Sequence, residues 1–173
     1  SIMALQTSGA ISLNDIHREA GGPSGGSVGI NDADVRGLIG KASGVSMGFN
    51  EWYGASNNSF VIDEANYQYT NYGYSVSPAF GSLSGGGAYH RGAQVYSIQT
   101  VRVTIKGSTT YSMAIRFQGN RASNWFTYVR VGNTTHYYNT FYRSYSGGST
   151  LWIKSIPASQ MMDGYGNTSG FWA

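Results

Sequence analysis

From residue 101 to 131 the chain alternates. Val101, Val103 and Ile105 fall on one side of an extended backbone, and Arg102, Thr104 and Lys106 on the other. Met113, Ile115 and Phe117 alternate with Ala114 and Arg116, while Trp125, Val129 and Val131 oppose Phe126, Tyr128 and Arg130. A period of two belongs to strands with one buried face. Lys106-Gly107-Ser108, Gln118-Gly119-Asn120, Gly132-Asn133 and Ser146-Gly147-Gly148 supply turn chemistry between the runs. Turns about every ten residues predict an antiparallel meander closed into a sandwich or barrel. Further strands are expected over 60–69, 136–145 and 150–156. The Gly/Ser-rich, charge-poor stretch 71–94 reads as a long surface loop.

The first third has a different period. Ser12 and Asp15 have capping-box spacing ahead of a short helix that contains Ile16, and Gly21-Gly22-Pro23 stops it. Asn31 is expected to cap a second helix over 32–41, acidic in its first turn and ending in Lys41, as the helix dipole favours. Val35, Leu38 and Ile39 make its apolar face. A third turn holds Phe49, Trp52 and Tyr53 before Gly54. Helices this short do not stand alone and must pack on each other, on the second part or on another chain. The expected fold is therefore mainly β. An antiparallel, jelly-roll-like β sandwich over 57–173 follows a region of short helices over 1–56.

Composition sharpens this picture. The 173 residues suit one domain or one domain with an appendage. Charged residues are 11% and aromatics 14%, with 14 Tyr, which excludes a disordered chain. Residues 1–56 carry a net charge of −2 and residues 57–173 a net charge of +5, so the two parts are expected to meet different partners. There is no Cys, hence no disulfide framework and no thiolate metal site. No apolar run is long enough to span a membrane, and the N-terminus lacks the basic and apolar segments of a signal peptide. Ser1-Ile2 ahead of Met3 reads as a cloning remnant.

The chemistry points to binding. Asp63 and Glu64 are adjacent and, on a strand, face opposite ways; after residue 64 the only acid is Asp163. A glycosidase needs two carboxylates some 5–10 Å apart. His17, His90 and His136 are isolated and are expected to be solvent-facing or hydrogen-bonded, with no metal or other cofactor. The eight cations of the second part are scattered, which argues against nucleic acid. Arg and aromatic side chains together also suit acidic polysaccharide. Tyr67 and Tyr69, and then Tyr72 and Tyr74, alternate with other residues, and an outward row of such rings would make a stacking platform.

One stretch is distinctive in wording: Ala4-Leu5-Gln6-Thr7-Ser8-Gly9-Ala10-Ile11-Ser12-Leu13-Asn14-Asp15-Ile16-His17. So are Leu38-Ile39-Gly40-Lys41-Ala42-Ser43-Gly44 and Met47-Gly48-Phe49-Asn50-Glu51-Trp52-Tyr53-Gly54-Ala55-Ser56. Together these resemble the N-terminal module of tail-fibre and other tail structural proteins of tailed bacteriophages, over about the first third of the chain. A short tail fibre of a phage infecting a Gram-negative host such as Acinetobacter is the nearest likeness. The resemblance implies a homotrimer located in the virion tail, bound to other tail proteins. It also implies a non-enzymatic tail fibre that attaches to host-surface polysaccharide or lipopolysaccharide, with neither nucleic-acid binding nor membrane insertion. On that reading Val35, Leu38, Ile39, Phe49, Trp52 and Tyr53 serve oligomerisation or attachment. Tyr72, Tyr74, Tyr89, Arg91, Trp125, Tyr137 and Tyr142 are the candidate glycan contacts, with Trp125 the one most suited to the core. Replacing Tyr72 and Tyr74 by Ala is expected to abolish adsorption and leave folding intact. The alternatives are an architectural baseplate or neck protein, and a depolymerase with intersubunit acids, which clustering of Asp63, Glu64 and Asp163 in one cleft would favour.

Overall fold

The computed structural model describes residues 5–20, 22–39, 41, 44–53 and 58–173. Met3, Gly21, Gly40, Gly54 and the boundary at 56/57 lie outside the described residues.

The N-terminal residues build a small core of their own. In α1 (Leu13–Glu19) the Ser12 side chain accepts from the Asp15 N–H, and the Asp15 carboxylate accepts from the Ser12 N–H, so the capping box forms. The second helix is shorter than its pattern suggests. It is α2 (Ala33–Gly37), capped at Asp32 without a side-chain bond. Asn31 does not cap it; its side-chain Oδ1 accepts instead from Arg36 Nη1 at 2.8 Å. Nor does Lys41 close it, since Lys41 pairs with Glu51 at 2.9 Å. Ile16, Val35, Leu38 and Trp52 are buried together with Leu5, and Ile11, Leu13, Val28, Ile30, Ile39 and Met47 pack against them. The short helices thus pack on each other. Trp52 Nε1 donates to the Val35 carbonyl at 2.9 Å, which removes the cost of burying its N–H. Val35, Leu38 and Trp52 are therefore interior, whereas Phe49 and Tyr53 are exposed.

Residues 58–173 form two antiparallel sheets. The smaller contains β1 (Ser59–Asp63), β5 (Ser82–Ser84), β9 (Tyr128–Val131), β10 (Thr134–Tyr137) and β13 (Asn167–Trp172), in the order β10-β9-β13-β1-β5. The larger contains β2 (Ala65–Tyr67), β3 (Asn71–Val76), β7 (Ala93–Ile105), β8 (Ser108–Gln118), β11 (Tyr142–Ser146) and β12 (Ser149–Ser155), in the order β11-β12-β8-β7-β3-β2. Two short strands, β4 (Ala79–Phe80) and β6 (Tyr89–His90), pair with β3 and β7. The fold is the expected β sandwich. Its core runs between the sheets through Phe60, Ile62, Ile98, Met113, Ile115, Phe117, Phe126, Val129, Trp152 and Trp172. Phe117, Phe126, Trp152 and Trp172 form an aromatic knot, with the Phe117 and Trp172 ring centroids 4.8 Å apart and those of Phe126 and Trp152 5.4 Å apart.

The turns obey the predicted chemistry. Lys106-Gly107 and Gly147-Gly148 join their strands as two-residue hairpins with φ positive at both positions. That is the geometry whose twist matches the strands.

Four expectations about the sandwich are corrected. Residues 71–94 are not a surface loop. They carry β3 to β6, and β3 pairs with β7 inside the larger sheet. The Gly and Ser content misled because Gly73 at φ 126 sits where a Cβ would strike the Ile98 carbonyl, at 2.5 Å, and Met162. The strand expected over 60–69 breaks at Glu64, where the chain passes from the smaller sheet (β1) to the larger (β2). The run 136–145 breaks likewise at the 3-10 turn Tyr138–Thr140, between β10 and β11. Sandwiches turn such corners by interrupting the strand. Finally, Phe126 is the fully buried residue beside Val129, because the strand and its alternation begin only at Tyr128, while Trp125 is half-buried and packs against that core.

Candidate functional site

The seven candidate contacts scatter. Tyr72 and Tyr74 lie on β3, opposite Thr100 and Ile98 of β7, and pack against the core. The Tyr72 hydroxyl donates to the Tyr69 carbonyl at 2.6 Å and the Tyr74 hydroxyl to the Val95 carbonyl at 3.2 Å. Burial, reinforced by the nearby Tyr89, raises the Tyr74 phenol. These two rings are part of the fold, so their removal disturbs packing, contrary to the expectation of intact folding. Tyr137 stands on the outer face of the smaller sheet, 5.5 Å from the Tyr128 ring. Tyr142 is exposed on β11, at the edge of the larger sheet.

Arg91 and Trp125 do meet, at the end of the sandwich that holds Asn58 and Trp172. The Arg91 guanidinium lies 4.4 Å from the Trp125 ring centroid, and that of Arg121 lies 4.8 Å from it. The loop 119–127 that carries Trp125 is tied down along its length. Gly119 N donates to the Gly148 carbonyl at 2.8 Å, Arg121 N to Thr150 Oγ1 at 2.8 Å, and Trp152 Nε1 to the Ser123 carbonyl at 3.2 Å. His90 Nε2 lies 3.2 Å from the Trp125 carbonyl, and Arg91 Nη1 donates to the same oxygen at 3.1 Å. His90 is not solvent-facing. It is buried against Phe117 and Trp172, and desolvation, opposed by the Trp125 hydrogen bond, pushes its pKa down to about 4. His17 and His136 are buried too.

The opposite end of the sandwich holds a polar cleft of about 420 Å³ between the β9–β10 turn, the loop 156–166 and the start of β13. Asn133, Thr134, Ser159, Gln160, Asn167 and Thr168 line it, with Tyr165 exposed at 74%. Glu64 and Asp163 share this cleft; Asp63 does not line it. Both Glu64 oxygens are engaged. One accepts from Asp163 N at 3.1 Å and Gly164 N at 3.0 Å, and the other accepts from the Thr168 hydroxyl. Glu64 thus staples the loop that forms the cleft wall. The sequence reading missed this cleft and Arg121. The segment Asp163-Gly164-Tyr165-Gly166-Asn167, turn residues around one aromatic, is the signal that marks an exposed ring on a tight loop.

No protein-family model, curated protein or solved structure matches the chain.

Proposed function

We propose that the protein is a non-enzymatic, trimeric tail-fibre component of a bacteriophage virion, whose sandwich reads a bacterial surface glycan. One observation carries the reading: a concave site of about 420 Å³ lined by amides, hydroxyls and the carboxylates of Glu64 and Asp163 beside the exposed Tyr165 ring. Planar amides and carboxylates suit vicinal sugar hydroxyls, and an aromatic face suits the apolar face of a pyranose. The wording of the N-terminal stretch supports the virion and trimer readings, and three weak sites would gain by avidity.

The test is adsorption of the purified protein to capsulated Gram-negative cells, with and without periodate oxidation of their sugars. The expected result is periodate-sensitive binding that Tyr165→Ala and Gln160→Ala weaken by tenfold or more with the melting temperature unchanged. Adsorption indifferent to both treatments would overturn the reading. The shared cleft of Glu64 and Asp163 favours a second reading, a depolymerase. Full use of the Glu64 oxygens by loop donors weighs against it. A fall in capsule chain length on incubation, lost in Asp163→Asn, would establish it.

A further inference from the structure

Three arginines converge on the loop 119–127, and no side-chain carboxylate answers them. Arg143 Nε donates to the Arg121 carbonyl at 2.7 Å and Arg143 Nη2 to Asn120 Oδ1 at 2.6 Å. Arg121 Nε donates to the Gln118 carbonyl at 2.6 Å, its guanidinium folded back against Gly119, where a Cβ would come within 2.8 Å of it. Arg91 is exposed at the first position of the β6–β7 turn, at φ 52. Arg91 and Arg121 both lie over the Trp125 ring, so their guanidinium carbons are no farther apart than the sum of their two ring distances. Among the described residues the one ion pair is Lys41–Glu51, in the N-terminal unit. The acids of the sandwich, Asp63, Glu64 and Asp163, sit at or beside the cleft, a strand length away.

Each guanidinium has five N–H donors and uses one or two of them here. The partners the protein gives these guanidinium groups are the Trp125 ring and neutral carbonyl and amide oxygens, none of which cancels their charge. An oxyanion supplies the missing charge and accepts the unused donors in fork geometry. We propose that Arg91, Arg121 and Arg143, ordered by Trp125, bind a carboxylate or phosphate group of an acidic polysaccharide. This inference rests on the glycan reading above and assigns its charge class. Nucleic acid is disfavoured because two guanidinium groups occupy the indole on which a base would stack.

The test is calorimetric titration of the full chain with polygalacturonic acid and with its carboxyl-reduced form. Arg91→Gln, Arg121→Gln and the double variant are compared with Lys106→Gln, which removes the same charge at the far end. Each arginine change is expected to weaken binding by tenfold or more, with Lys106→Gln within twofold of the parent. Carboxyl reduction should abolish binding, and competition by inorganic phosphate would show that phosphorylated glycans use the same site. Equal loss in Lys106→Gln, undiminished binding of the reduced polymer, no binding of the acidic polymer, or tighter arginine-dependent binding of single-stranded DNA would each overturn the proposal. Melting temperatures verify folding, and Arg91→Lys should retain part of the affinity. Periodate-sensitive cell adsorption that survives the double arginine change would refute this site and leave the cleft reading standing. Loss of adsorption in Tyr165→Ala, with polygalacturonate binding retained, separates the two sites in the other direction.

Discussion

Acidification should destabilise the sandwich between about pH 6.5 and 4. His90 and His136 are buried, at 6% and 2% exposure, and their pKa values fall from 6.5 to about 4. Desolvation is the main cause for both. The positive charge of Arg91 adds to it for His90, and that of Lys154 for His136. Because the folded values are depressed, the unfolded chain binds more protons between about pH 6.5 and 4, and stability drops as pH falls through that window. At about pH 4.5 an unfolded histidine is almost fully charged and a folded one mostly neutral, which removes about 2.5 kcal/mol per ring. Both together remove about 5 kcal/mol, a large part of the stability of an ordinary domain. Urea melts followed by the fluorescence of Trp125, Trp152 and Trp172 at about pH 7.5 and 4.5 measure the difference. His136 Nε2 is buried without a hydrogen-bond partner, so His136→Phe abandons no bond there and should halve the acid sensitivity. Equal stability of the parent at the two pH values, or an undiminished acid loss in both His136→Phe and His90→Phe, would refute the reasoning.

Gly170→Ala should cost about 2 kcal/mol or more, because its Cβ would overlap the Arg130 carbonyl oxygen and the Phe60 ring between packed strands; a urea midpoint matching the parent would contradict this. Ser12→Ala should lower the stability of the N-terminal unit by about 1 kcal/mol through loss of the capping box, read as faster amide exchange in α1 with the sandwich unchanged. Glu64→Gln removes a charged acceptor from three donors and should cost about 1.5–3 kcal/mol, seen as loss of exchange protection at Asp163 and Gly164.

Much of the fold was legible in the chain. The alternation of Met113, Ile115 and Phe117, the Lys106-Gly107 and Gly147-Gly148 turns and the Ser12–Asp15 box are local signals, and each folds as read. Period and turn chemistry act over a few residues, so one sequence suffices to see them. What failed were features set by distant neighbours. Glu64 ends a strand because β1 and β2 belong to different sheets. Tyr72 and Tyr74 are half-buried against the core rather than a free outward row, and Gly73 survives in that strand because Met162 and Ile98 crowd it. The candidate sites have the same origin. Arg91 and Trp125 are 34 residues apart and meet only because β6 and the loop 119–127 share one end of the sandwich. The cleft joins Glu64 to the loop 156–166, about a hundred residues onward, through hydrogen bonds that no local pattern encodes. Local chemistry in the sequence determined the two tight hairpins, the capped first helix and the central strands. Sheet order, decided only when the two layers packed, chose which rings were buried and which charges were brought together.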